Sequence, residues 1–199
     1  MLGQFNMGFI IARAADDLFI VDQHAADEKF HFETLQQSTQ IHTQRLIAPL
    51  KLQLTAADEL IVIDHLNVFK QNGFEIQVDS AAPPTQRLRL LALPFSKHTV
   101  FGPSDITELV TLLAEAPGQP CRLPKLRAMF AMRACRSSVM IGTALETAKM
   151  RQLVSQLASL EQPWNCPHGR PTLRHLVDLT ALAATPAASA FDAALAAYP

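Results

Sequence analysis

The sequence predicts an α+β fold, and three features of its patterning carry that reading. Strand-like segments open the chain before any helical pattern appears. Strands and helices then alternate through the middle. Helical patterns fill most of the last third.

Each element has a local reason. Phe5 to Arg13 is apolar and β-branched, as is Leu18 to Val21, and Ala15-Asp16-Asp17 between them predicts a β-hairpin. From Gln23 to Gln37, Phe30, Phe32 and Leu35 mix with Glu28, Lys29 and Glu33, with no Gly or Pro, so a helix is expected where the second strand ends. Gln44 to Leu54 reads as extended, with Pro49 inside it. Thr55-Ala56-Ala57-Asp58 resembles a capping box with Asp in place of Glu, opening a helix through Phe69 that stops at Asn72-Gly73. Phe74 to Val78 alternates as a strand, and Leu88 to Leu93 is another, preceded by Pro83-Pro84. Ser104 or Asp105 caps a helix through Leu113 that ends at Pro117-Gly118. Leu126 to Met140 reads as a long helix with small residues Ala131, Ala134 and Ser137, and Glu146 to Leu160 as a further one. Thr172 is expected to cap a helix through Leu182, and the Ala-rich tail, Ala184 to Pro199, is weakly determined. Pro83-Pro84 and Pro117-Gly118-Gln119-Pro120 read as mobile loops. The division expected from this order is a core of residues 1–47 and 126–199 with an inserted subdomain, residues 48–125.

A chain of 199 residues can bury one sizeable core, or two small subdomains sharing one. Its net charge of −1 excludes an overall basic field, so any nucleic-acid role must rest on a local basic patch, another domain or another subunit. Three cysteines, Cys121, Cys135 and Cys166, are too few and odd in number for a disulfide framework. They predict reduced thiols in an intracellular compartment and leave metal binding open. No uninterrupted apolar run predicts a membrane span, and Met1-Leu2-Gly3-Gln4 lacks the start of a signal peptide. The immediate strand-like start predicts a fragment of a longer protein.

Two segments carry candidate chemistry. Asp22 sits at the predicted strand end, and His24 and Glu28, four apart at the helix start, face the same side. An imidazole and a carboxylate so spaced can hold one divalent ion. A helix N-terminus decorated with acids, favoured by the macrodipole, explains the segment equally well. Cys166-Pro167-His168 places a thiol and an imidazole one residue apart around a rigid Pro, with Gly169 permitting a turn. Soft sulfur with imidazole suits Zn²⁺, and a buried thiol beside an exposed His in a turn is the alternative. Cys135, in Ala134-Cys135-Arg136, reads by itself as core filler. Arg133, Arg136, Arg170 and Arg174 flank these segments and fit either phosphate contacts or solvated faces. His31, His42, His65, His98 and His175 have no ligand-like spacing.

With these residues in view the chain resembles a known family. Asp22 to Glu33 reads Asp-Gln-His-Ala-x-x-Glu-x-x-x-x-Glu, the endonuclease motif of MutL-type mismatch-repair proteins. Ala134-Cys135-Arg136 and Cys166-Pro167-His168-Gly169-Arg170-Pro171 match two further family motifs, and Gln4-Phe5-Asn6-Met7-Gly8-Phe9 resembles the start of the family's C-terminal domain. All four occur in the family's order, and the resemblance extends to about Leu179. The wording from Trp164 to Thr172 looks closest to the eukaryotic PMS-type subunit. Cys121 falls in none of the motifs and reads as structural, and the Ala-rich tail does not match a family terminus.

The resemblance implies a dimerisation core with an inserted external, regulatory subdomain. It implies one or two Zn²⁺ held by His24, Glu28, Cys135, Cys166 and His168, with Asp22 and Glu28 required for nicking. Thiolates suit Mn²⁺ or Mg²⁺ poorly, so a second, harder ion near Asp22 is expected for cleavage. The implied partners are an Mlh-type subunit, double-stranded DNA, the sliding clamp and, indirectly, a MutS-type mismatch sensor, in the nucleus and without a membrane. Gln44-Arg45-Leu46-Ile47-Ala48-Pro49 resembles the clamp-docking segment through Gln44, Leu46, Ile47 and Pro49, and fits an ordinary extended linker as well. Arg136 and Arg170 would meet DNA phosphates. The family's ATP-binding N-terminal region has no counterpart among these residues. Two rivals to the nuclease remain: a non-catalytic, zinc-stabilised dimerisation module, and a zinc hydrolase of small substrates.

Overall fold

A computed structural model describes residues 1–116, 118 and 121–183. The expected Ala-rich tail, and Pro117, Gln119 and Pro120 of the expected loop, lie outside the described residues. The elements run in the order β1 (Gly3–Phe5), β2 (Phe9–Ala14), β3 (Asp17–Asp22), α1 (Gln23–Ser38), β4 (Thr43–Lys51), α2 (Ala56–Asp64), α3 (Leu66–Gln71), β5 (Glu75–Val78), β6 (Leu88–Pro94), α4 (Pro103–Glu115), α5 (Pro124–Ser137), α6 (Thr147–Ala158), β7 (Leu173–Asp178) and α7 (Leu179–Ala183). Helices and antiparallel sheets are thus mixed, as the α+β reading requires. The chain divides into two units, Met1–Gln37 with Ala131–Pro199, and Ser38–Phe130. The sequence reading drew the middle unit from 48 to 125. The structure puts β4 in that unit because its hydrogen bonds go to β6.

The first unit holds the four-stranded sheet β1-β2-β3-β7. The hairpin of β2 and β3 pairs Phe9 with Asp22 through Ala14 with Asp17, turning at Ala15-Asp16. The single strand predicted over Phe5 to Arg13 is instead two. Asn6 and Met7 take positive φ, +48° and +44°, and fold β1 back on β2. Two successive residues in that region are the pattern of a primed hairpin turn, whose twist suits the flanking strands. Ile10, Val21 and Ala26 pack with Met150, Leu153 and Leu157 of α6 to form this unit's core.

The helix predicted from Thr172 to Leu182 is mostly strand. Residues Leu173 to Asp178 pair with the free edge of β3. Thr172 caps nothing: its N–H donates to Trp164 O and its hydroxyl to Pro163 O. The helix begins only after Asp178, whose Oδ1 accepts from Thr180 N at 2.8 Å. An available sheet edge outweighed weak helix propensity.

The second unit is the sheet β4-β6-β5 with α2, α3 and α4, around Val62, Phe69, Phe74, Leu90, Ile106 and Leu109. The cap at Thr55 is present, its hydroxyl accepting from Asp58 N. The helix it opens does not run unbroken to Phe69. It breaks at His65, where φ is −119° and the ring donates from Nδ1 to Ile61 O. The cap of α4 is Gly102, followed by Pro103; Asp105 lies one turn in, and its carboxylate accepts from Gly102 N at 2.7 Å. Cys121, read as structural, packs against this core and gives its carbonyl to Asn72 Nδ2.

Candidate metal centre

Three segments of the first unit meet at one carboxylate. β3 delivers the chain into α1, so His24 and Glu28 lie on the same face of its first turns. Cys135 lies in the last turn of α5, and Cys166 and His168 sit in a tight loop before β7. That loop closes on itself through Cys166 N to Arg170 O and Gly169 N to Cys166 O, both 2.9 Å. Gly169 has φ +83°, a backbone that residues with a Cβ rarely adopt.

The donor atoms form two groups that share Glu28. His24, Glu28 and Cys135 lie within 4.8 Å of one another, and so do Glu28, Cys166 and His168. Cys135 Sγ stands 3.6 Å from His24 Nε2, and His168 Nδ1 stands 2.7 Å from Glu28 Oε1. Glu28 is 1% exposed, whereas the His168 side chain is 47% exposed, so the centre is buried on one side and open on the other.

Burial first, then the Glu28 carboxylate, pushes both the Cys135 and the Cys166 thiol up. Despite these neighbours, no donor is directed at Glu28 Oε1 in hydrogen-bond geometry. A buried carboxylate oxygen so placed costs free energy that a cation would recover. Two imidazoles, two thiols and a carboxylate are a donor set that fits zinc. The two groups have room in number for one or two ions.

Other expected residues fall elsewhere. Asp22 belongs to neither donor group; its Oδ1 accepts from Ala25 N at 2.8 Å and caps α1. Arg136 and Arg170 are exposed, and their charges reach Cys135, lowering its thiol against the larger upward effects. Gln44, Leu46, Ile47 and Pro49 lie on β4 in the second unit. The pairing with β6 slips between Arg45 and Leu50, so Leu46 to Pro49 leave the ladder and Ile47 is fully exposed. A groove of about 610 Å³ runs beside them, with Leu50, Phe95 and Val100 in its walls. Of the remaining histidines, His65 and His175 are hydrogen-bonded, to Ile61 O and Asp17.

The sequence reading passed over Gln23 and Asp27. Gln23 is wholly buried, accepts from Gln4 Nε2 and donates to Met140 O and Thr143 O, tying the head of α1 to the segment after α5. Asp27 is buried and accepts from Val139 N at 2.8 Å. Its place three residues after His24, on the same helix face, was the available signal.

This α+β fold with a buried mixed donor set defines a class that comparison with known proteins identifies. The chain belongs to the family of the MutL C-terminal dimerisation domain, whose model matches residues 2–145. It is 54% identical over 183 residues to mismatch repair endonuclease PMS2 of Gallus gallus, covering 92% of this chain and 21% of the relative. The proteins of the same name from Mus musculus and Homo sapiens are 53% and 52% identical over 179 residues, covering 90% of this chain and 21% of each relative. The chain therefore spans about a fifth of the length of these curated relatives. No described helix is long and apolar enough to cross a membrane.

Proposed function

We propose that this domain is the metal-dependent nicking module of a mismatch-repair MutL homologue, acting on double-stranded DNA as a heterodimer with an Mlh-type subunit. The observation that carries the reading is buried Glu28, shared by two groups of soft and borderline donors, one of which ends in half-exposed His168. The names of its relatives support the reaction class. His24, Glu28, Cys135, Cys166 and His168 hold zinc, one ion or two. Cleavage would call for a harder ion, Mn²⁺ or Mg²⁺, since thiolates suit these ions poorly. A bound divalent ion supplies the Lewis acid for phosphodiester hydrolysis. Arg136 and Arg170, exposed beside the donors, meet the phosphate. Ile47 and its neighbours on the β4 bulge dock the sliding clamp. The protein works in the nucleus, with a MutS-type sensor acting upstream and an ATP-binding region elsewhere in its full length.

One observation favours the rival, a zinc-stabilised dimerisation module without catalysis: Asp22 lies outside the donor groups and is engaged as a helix cap. Asp22→Asn separates the two. Asn caps a helix as well as Asp does, so the variant keeps its fold. In the full heterodimer the nuclease reading expects nicking of supercoiled DNA with Mn²⁺ to collapse. Unchanged nicking would remove Asp22 from the mechanism, and its absence in the unaltered heterodimer would leave the dimerisation module.

A further inference from the structure

We infer that Asp27 is a positioning residue, which sets the tautomer of His24 and its distance from Cys135 by holding the N–H of Val139, the residue whose carbonyl the His24 ring bonds. The inference rests on the metal reading above for its consequence, and on hydrogen-bond geometry alone for its substance.

Val139 is the point of attachment. It lies just past α5, four residues after Cys135. Its N–H donates to Asp27 Oδ2 at 2.8 Å, and its carbonyl lies 2.9 Å from His24 Nδ1. A carbonyl only accepts, so the ring proton must be on Nδ1. In the neutral ring Nε2 is then left with a lone pair, and Nε2 is the atom facing Cys135 Sγ at 3.6 Å. Asp27 and His24, three apart on α1, thus hold one residue of the α5 exit at both its polar ends. Two further bonds brace that exit, from Ser138 Oγ to Ala134 O at 2.7 Å and from Gln23 Nε2 to Met140 O at 3.0 Å.

Asp27 is 3% exposed, and its other oxygen stands 3.5 Å from His31 Nε2 at the edge of solvent. It is not a member of either donor group. A buried carboxylate outside both donor groups that binds the N–H of the residue whose carbonyl holds one of the donors acts through that residue. Partners of this kind, one bond removed from a metal ligand, fix ring orientation and affinity.

The test uses the full chain and the variants Asp27→Ala and Asp27→Asn. Metal-free protein is compared by ¹⁵N NMR of the His24 ring, and zinc affinity is measured by competition with a chromophoric chelator. Wild type is expected in the Nδ1–H form. Asp27→Ala is expected to lose that preference and to bind zinc roughly 10- to 100-fold more weakly. Asp27→Asn, whose amide oxygen still accepts from Val139 N–H, should restore both. An Nε2–H tautomer in wild type overturns the inference even if neither variant folds. So does an Asp27→Ala protein with wild-type tautomer and affinity, or an Asp27→Asn protein as impaired as Asp27→Ala. Wild type that shows the Nδ1–H form, lost in Asp27→Ala, but binds no zinc would uphold the positioning role and refute the metal reading instead.

Discussion

Replacing Glu28 by Gln should act with opposite signs in the metal-free and zinc-loaded protein. The side chain keeps its volume and loses its charge. In the metal-free state that charge is buried, with one oxygen to which no donor is directed. Gln keeps an acceptor oxygen, so what the change relieves is the burial of a charge with incomplete partners, about 1–3 kcal/mol. Against this stands the contact with half-exposed His168, which as a partly solvated pair is worth about 0–1 kcal/mol. The net expectation is a gain of about 1–2 kcal/mol, or roughly 2–8 °C in Tm for a chain of this size. With zinc the sign reverses, because Glu28 belongs to both donor groups. Each tenfold loss of affinity removes about 1.4 kcal/mol of ligand stabilisation at fixed free zinc. The assay is thermal unfolding of wild type and Glu28→Gln in chelator and in a series of zinc buffers. A variant less stable than wild type in chelator, or one with an undiminished zinc-dependent rise in Tm, would refute the reasoning.

Both centre thiols are pushed up, by burial first and Glu28 next, so at neutral pH the metal-free protein holds both as SH. Zinc uptake should then release about two protons and tighten as pH rises, seen as a buffer-dependent heat in calorimetry. Because these thiols titrate higher folded than unfolded, their contribution to metal-free stability is intact below about pH 8.5 and declines as pH rises through the folded-state values. Gly169→Ala has free space for its Cβ, so its cost is the positive φ alone, about 1–2 kcal/mol, together with weaker zinc binding by competition titration. Ile47→Asp, at a fully exposed position in the second unit, should leave Tm within about 0.5 kcal/mol equivalent and zinc affinity unchanged while abolishing capture by a sliding clamp.

The donors themselves were legible as residue types: His24 and Glu28 share a face because a helix repeats every few residues, and Pro167 with Gly169 marks the turn that presents Cys166 and His168. The Thr55 cap and the β2–β3 hairpin were legible for the same reason, since their partners lie within a few residues. The β1–β2 turn was not, because Met7 gives no local signal for the positive φ that Asn6 readily takes. Nor was β7, whose identity depends on an open edge of β3 more than a hundred residues earlier. Cys135 read as core filler alone, and only folding sets its sulfur against His24, 111 residues away.

The sequence by itself determined which atoms could bind a soft metal and on which local scaffolds they stand. Local propensity and spacing act over a turn or two, and that was enough. Tertiary structure decided that Glu28 is buried between two donor groups, while Asp22, held by a local bond, caps α1 outside them. It also decided that Asp27 and His24 hold Val139 at its N–H and its carbonyl. That hold on Val139 is made by hydrogen bonds spanning 112 and 115 residues, and it exists only once α1 and the segment after α5 have packed together in the first unit.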